Sequence, residues 1–176
     1  MSSKRLAMDG LLAAMCAVLG ALSIDLGVMK FTLENFPILV GAFLFGPIDG
    51  LMIGGIGTFL YQVLKYGLEV STPLWIFPYM IGGFVAGWLA KRIAEKKRMI
   101  SIVLIVVFNG LIVTICNTIG LIIYYLWILD APIETVLAAI PTRLITSVLK
   151  SVAFGFLLPP VLKGVQKIGQ KTFKNE

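Results

Sequence analysis

The stretch Phe36-Pro37-Ile38-Leu39-Val40-Gly41-Ala42-Phe43-Leu44-Phe45-Gly46-Pro47-Ile48-Asp49-Gly50 decides how this chain is built. It reads as an apolar helix that starts at Phe36-Pro37 and stops at Gly46-Pro47. That is well short of the roughly 20 residues a perpendicular membrane crossing needs. A short, tilted or partly buried helix is therefore expected here. Pro47 suits the first turn of a following helix, and Asp49 would then sit at that helix's positive end.

Outward from this stretch, long apolar segments fill nearly the whole chain. A first segment covers residues 5–22, and a loop at 23–35 carries Asp25, Gly27, Lys30 and Glu34. The third segment runs from Pro47 to about Lys65 and is followed by a polar turn at 66–72. A fourth spans 73–90, a fifth 99–129, and Asp130-Ala131-Pro132 breaks the run. The fifth is long enough that it must tilt or extend beyond the hydrocarbon. A sixth covers 133–163, with Pro141 placed to kink it and Pro159-Pro160 to end or bend it. The expected fold is all-α: one domain over residues 1–176, an integral membrane bundle of six transmembrane helices.

Composition excludes a soluble fold. The 176 residues are 59% hydrophobic and 14% charged, with a mean hydropathy of +0.97. A soluble domain is about half apolar and about a quarter charged, so lipid must be the solvent here. Nothing is left over for a soluble nucleotide-binding or catalytic domain.

The net charge of +6 raises nucleic acid as a partner, but the placement of the charge argues against it. Lys91, Arg92, Lys96, Lys97 and Arg98 form one cluster, and Lys163, Lys167, Lys171 and Lys174 recur at helical spacing in the tail. Both flank apolar segments, as expected beside an anionic cytoplasmic leaflet. The opposite loops carry Asp25, Glu34, Glu69, Asp130 and Glu134 against Lys30 and Lys65. Six crossings would put the N- and C-termini on the cytoplasmic side of a cell membrane, with a prokaryotic plasma membrane the expected location. Lys4-Arg5 and the apolar run to Ser23 imitate a signal peptide, but Asp9 interrupts the run, and the protein needs a first helix to orient it.

Enzymatic signals are poor. There is no histidine, Cys16 and Cys116 lie inside apolar runs, and neither a phosphate-cradling glycine loop nor a Gly-x-Ser-x-Gly elbow occurs. No catalytic residue, metal site or cofactor is expected. A binding cavity is another matter, since it needs only aromatic walls and a few convergent polar groups. Counting the helical rise from the outer ends, Arg143 lies level with Asn117 on the antiparallel fifth helix. Trp75 and Tyr79 enter from the fourth helix, Tyr61 and Gln62 from the third, and Tyr124 and Tyr125 lie above Asn117. An arginine at that depth is costly against lipid and should face the interior, a water-filled cavity or a polar partner. Trp75, Tyr79, Asn117, Tyr124 and Arg143 are the expected substrate-binding residues. Lys150 lies deeper, toward a crevice or a partner.

The first helix carries a small-residue stripe, Ala13, Ala17 and Ala21, extended by Gly10 and Ala14. Such a stripe lets another helix approach closely, and the pattern leaves open whether that helix belongs to this chain or to a partner.

Pro37 to Gly50 is similar to the "P-x-x-x-(A/G)-x-x-L-F-G-P-x-x-G" pattern of the substrate-binding S components of energy-coupling factor (ECF) vitamin transporters. The alanine stripe resembles that family's Ala-x-x-x-Ala motif. Pro141-Thr-Arg-Leu-Ile145 with Leu158-Pro-Pro-Val-Leu162 resembles its last helix. Tyr66-Gly67 and Thr72-Pro-Leu-Trp-Ile-Phe-Pro-Tyr79 look most like the hydroxymethylpyrimidine/pyridoxine-type members; a folate-type S component is the nearer alternative, and a stand-alone small transporter or channel the more distant one. The resemblance implies a subunit that captures a vitamin from outside and works with a transmembrane T subunit and two cytoplasmic ATPases. It also implies that Ala13, Ala17 and Ala21 contact the T subunit. The implied ligand site lies near the outer face, formed by the first loop and the fourth to sixth helices.

Overall fold

The computed structural model describes residues 3–26, 29–93, 99–129, 132 and 134–173. Lys96, Lys97 and Arg98 of the basic cluster, Asp130 and Lys174 lie outside the described residues. Six helices follow in order: α1 (Ser3–Ala21), α2 (Asn35–Phe45), α3 (Pro47–Tyr66), α4 (Thr72–Ile93), α5 (Met99–Tyr124) and α6 (Glu134–Phe173). A π-helical turn, Tyr125–Leu129, extends α5. Four of these segments are long and apolar enough to cross a membrane: Pro47–Tyr66, Thr72–Ile93, Met99–Leu129 and Val136–Val165.

Two local expectations change. The first loop is not all irregular: β1 (Ile24–Leu26) and β2 (Met29–Phe31) pair antiparallel, with Asp25 opposite Lys30, so one small hairpin is added to the helical fold. Helix α6 also continues through Pro159-Pro160, placed to end or bend it, and past the expected limit at 163 to Phe173. Leu158 and Leu162, on either side of the prolines, are both buried in the core cluster. Packing there offsets the lost backbone hydrogen bonds that make proline a helix breaker.

The short helix is the central post. Pro37, Ile38, Leu39, Val40, Gly41 and Ala42 are all buried, so α2 is covered on every side, packing on α1, α3, α4 and α6. Its neighbours approach closely because glycine allows it. A Cβ on Gly83 of α4 would overlap the carbonyl of Gly50 on α3. Two amides complete the joint in apolar surroundings. Asn109 on α5 donates to the Gly82 carbonyl at 2.7 Å and accepts from Asn35, at the start of α2, at 2.9 Å.

The two ends of the bundle differ. At one end Arg5 on α1 clamps Asp49 on α3: Nε donates to Oδ1 at 2.7 Å, Nη2 donates to the other carboxylate oxygen, and Nη2 also reaches the Phe45 carbonyl at 2.9 Å. Lys91, near the C-terminus of α4, lies against Gly46 at this same end, and Arg92 stacks 4.5 Å over the Trp88 ring. At the opposite end Lys65 donates to the Ser23 hydroxyl at 2.5 Å. Gly67, at φ 82, ends α3 there in a conformation glycine adopts without strain.

The unequal helix lengths make the cavity. Helix α2 has 11 residues, about 16 Å at 1.5 Å per residue. Helix α3 starts beside the end of α2 and has 20 residues, about 30 Å. The post therefore stops about 14 Å short of the hairpin end, and the walls around that gap continue without it.

Candidate functional site

A cavity of about 440 Å³ occupies this gap, within the roughly 300–1,000 Å³ typical of small-molecule sites. Helical spacing supplies its walls. Gln62 and Tyr66 lie one turn apart on α3, and Trp75 and Tyr79 one turn apart on α4. Thr114, Asn117, Leu121 and Tyr124 share one face of α5, and Arg143, Thr146 and Lys150 one face of α6. The residues leading into α2, Thr32 and Glu34, form the floor, while Glu69 and Ser71 stand in the turn before α4.

All five residues singled out in the sequence, Trp75, Tyr79, Asn117, Tyr124 and Arg143, line this one cavity. Trp75 and Tyr124 meet edge-on with ring centroids 5.9 Å apart, and Tyr125 follows at 6.3 Å from Tyr124. Tyr61 is almost fully buried and packs edge-on against Tyr66 at 6.0 Å. These rings form an aromatic collar near the hairpin end. Trp127 takes no part in it: at 85% exposure it faces outward, as an interfacial tryptophan does.

Glu34, which the sequence places with the acids of the outer loops, is buried inside the bundle. It is 1% exposed, lines the cavity floor, and accepts a hydrogen bond from the Thr32 hydroxyl at 3.1 Å. Tyr79 and Lys150 lie within its electrostatic range. Its sequence neighbours, Leu33 and Asn35, carry no sign of a buried carboxylate. The only available clue was the short second helix, whose start had to lie below the outer surface. Lys150, placed deeper by the sequence, also faces the cavity.

The alanine stripe divides. Ala13 and Ala17 are 3% and 4% exposed, so in this conformation they face inward. A Cβ on Gly57 of α3 would come within 3.0 Å of the Ala13 carbonyl, which makes this close contact one between helices of the same chain. Ala21 is exposed, and so are Ala7, Gly10 and Ala14. Among the described residues of α1 the outward small residues are therefore Ala7, Gly10, Ala14 and Ala21, with Ala13 and Ala17 packed inward.

The family model described as "ECF transporter, substrate-specific component" matches residues 4–164. This chain belongs to that family. It is thus the substrate-specific component of a transporter and not an enzyme. Among solved structures it is similar to a crystal structure at 2.1 Å of the S-component for biotin from an ECF-type ABC transporter. The TM-score is 0.70 at 18% identity, covering 93% of this chain and 95% of that one, which shows a shared fold. No curated protein matches the sequence.

Proposed function

We propose that this S component captures a water-soluble vitamin or vitamin precursor of the hydroxymethylpyrimidine or pyridoxine type from outside the cell. It then passes the ligand inward with a transmembrane T subunit and two ATPases. The observation that carries the reading is the cavity itself: an aromatic collar above a buried carboxylate, with amide and hydroxyl groups between. Flat heteroaromatic rings stack on such walls. Glu34 suits the amino or ring N–H edge of a pyrimidine or pyridine, because an ionised carboxylate accepts two parallel hydrogen bonds. Asn117 both donates and accepts, and so complements the opposite edge.

Charge supports the orientation. Arg5, Lys91 and Arg92 gather at the end of the bundle opposite the cavity, which the positive-inside rule makes cytoplasmic. The cavity then opens outward and both termini lie inside. The six helices traverse a prokaryotic plasma membrane, with α2 as a half-length member enclosed by the others. For the T subunit, the outward face of Ala7, Gly10, Ala14 and Ala21 is the docking surface, since small residues allow close helix approach where lipid supplies no hydrophobic drive.

Native mass spectrometry of the purified protein tests the ligand reading. A heteroaromatic vitamin or precursor retained unchanged is the expected result. Recovery of a lipid or an inorganic ion alone, with no vitamin bound on titration, would refute it.

A further inference from the structure

We infer that a small annex beside the main cavity receives a short hydrogen-bond donor arm of the ligand, a hydroxyl or amine carried on one carbon, and that Asn35 and Thr114 select for it against methyl and carboxylate. The inference rests on the cavity being the vitamin site and narrows the class of vitamin that fits it.

The annex has a volume of about 40 Å³ and shares Thr32, Tyr79, Val113, Thr114 and Lys150 with the lining of the main cavity. Asn35, Ser147 and Ser151 line the annex only. The space has room for about two waters, or for a carbon and one polar atom.

Two hydrogen-bond relays, each anchored on a backbone carbonyl, set the polarity of this lining. A carbonyl oxygen can only accept. The Gly82 carbonyl therefore takes the Asn109 Nδ2–H at 2.7 Å, which turns Asn109 Oδ1 toward Asn35. Asn35 answers with its own Nδ2–H at 2.9 Å, so the network fixes the orientation of both amides. Asn35 Oδ1 is left at the end of the relay, buried and without a hydrogen-bond partner among the described residues. In the same way the Gly110 carbonyl takes the Ser147 hydroxyl at 2.9 Å, and Ser147 accepts from the Thr114 hydroxyl at 2.7 Å. Thr32 gives its proton to Glu34 at 3.1 Å. A hydroxyl has a single proton, so Thr32, Thr114 and Ser147 have only lone pairs left for a guest. Tyr79 and Lys150 border the annex within electrostatic range of Glu34, and neither bonds Asn35 Oδ1.

A buried acceptor without a donor is costly. A hydroxyl or amine entering the annex brings the missing proton to Asn35 Oδ1, and Ser151 offers a hydroxyl that can both donate and accept. A methyl group of similar size fills the space and leaves Oδ1 unsatisfied. A carboxylate turns its own lone pairs toward those of Asn35, Thr114 and Ser147.

Probes that share a ring and differ only in one arm test this on the full chain in detergent. Hydroxymethylpyrimidine is compared with its analogue carrying methyl in place of hydroxymethyl. Pyridoxine is compared with its two monodeoxy analogues and with pyridoxic acid. In at least one series the hydroxymethyl member should bind about tenfold tighter than the methyl or carboxylate member. Asn35→Leu and Thr114→Val should bring that ratio toward one. If Asn35→Leu does not fold, Thr114→Val and the probe series on the parent chain carry the test. Methyl or carboxylate members that bind as tightly as the hydroxymethyl member would leave the annex to water and overturn the inference, as would a preference that survives both substitutions. A vitamin without a short donor arm, found by native mass spectrometry, would also overturn it and leave the vitamin reading intact. Failure of every probe, with no vitamin retained, would remove both.

Discussion

Replacing Glu34 with glutamine removes one charge from the cavity floor while keeping the volume of the side chain. Glu34 is 1% exposed, so its replacement cannot be rescued by bulk water. The glutamine carbonyl can still accept the Thr32 hydroxyl, which now bonds Oε1 at 3.1 Å. The other terminal atom becomes an N–H₂ donor facing the ligand's own N–H edge. One charge-assisted bond is lost, and hydrogen bonds to charged groups contribute about 1.5–3 kcal/mol. At about 1.4 kcal/mol per tenfold, affinity should fall roughly tenfold to a hundredfold. Calorimetric titration of the purified variant with the co-purified vitamin measures this, with size-exclusion behaviour as the check on folding. A folded Glu34→Gln protein that binds within twofold of the parent would refute the reasoning and make Glu34 a structural post for Thr32 and Tyr79.

Arg143→Ala and Asn117→Ala should each weaken binding about tenfold to a hundredfold, because a buried ligand group left without its partner costs about 1–3 kcal/mol; unchanged affinity in both would sink the pocket assignment. Ala14→Trp should leave ligand binding intact in the isolated subunit and prevent its co-purification with a T subunit. Ala17→Trp, on the inward face, should instead lower the yield of folded protein, since overpacking a tight contact costs about 1–3 kcal/mol or more. A cysteine at Glu69 should react with an impermeant thiol reagent on intact cells and one at Lys163 only after permeabilisation; the reverse pattern would invert the topology. Asp49→Asn should reduce thermal stability by weakening the Arg5 clamp that joins α1 to the start of α3, and an unchanged melting profile would show that the clamp contributes nothing measurable.

The sequence by itself determined that this chain is helical and lives in lipid, because hydrophobic content and run length report the solvent directly. It also located the break at Gly46-Pro47 and the turn at 66–72, where backbone chemistry is local, and marked the length of α2 as anomalous. It brought Trp75, Tyr79, Asn117, Tyr124 and Arg143 toward one outer cavity by counting helical rise, which needs no knowledge of how each helix is rotated. Rotation was the missing quantity. Ala13, Ala14 and Ala17 are indistinguishable as small residues, and only the close contact of α1 with Gly57 turns Ala13 and Ala17 inward and leaves Ala14 facing out. The position of Glu34 was hidden for a related reason. A carboxylate beside a helix start reads as loop, and its burial follows from the hairpin descending onto a post about 14 Å shorter than its neighbours. Burial of that kind is a property of how the helices pack together, and no local pattern around residue 34 encodes it.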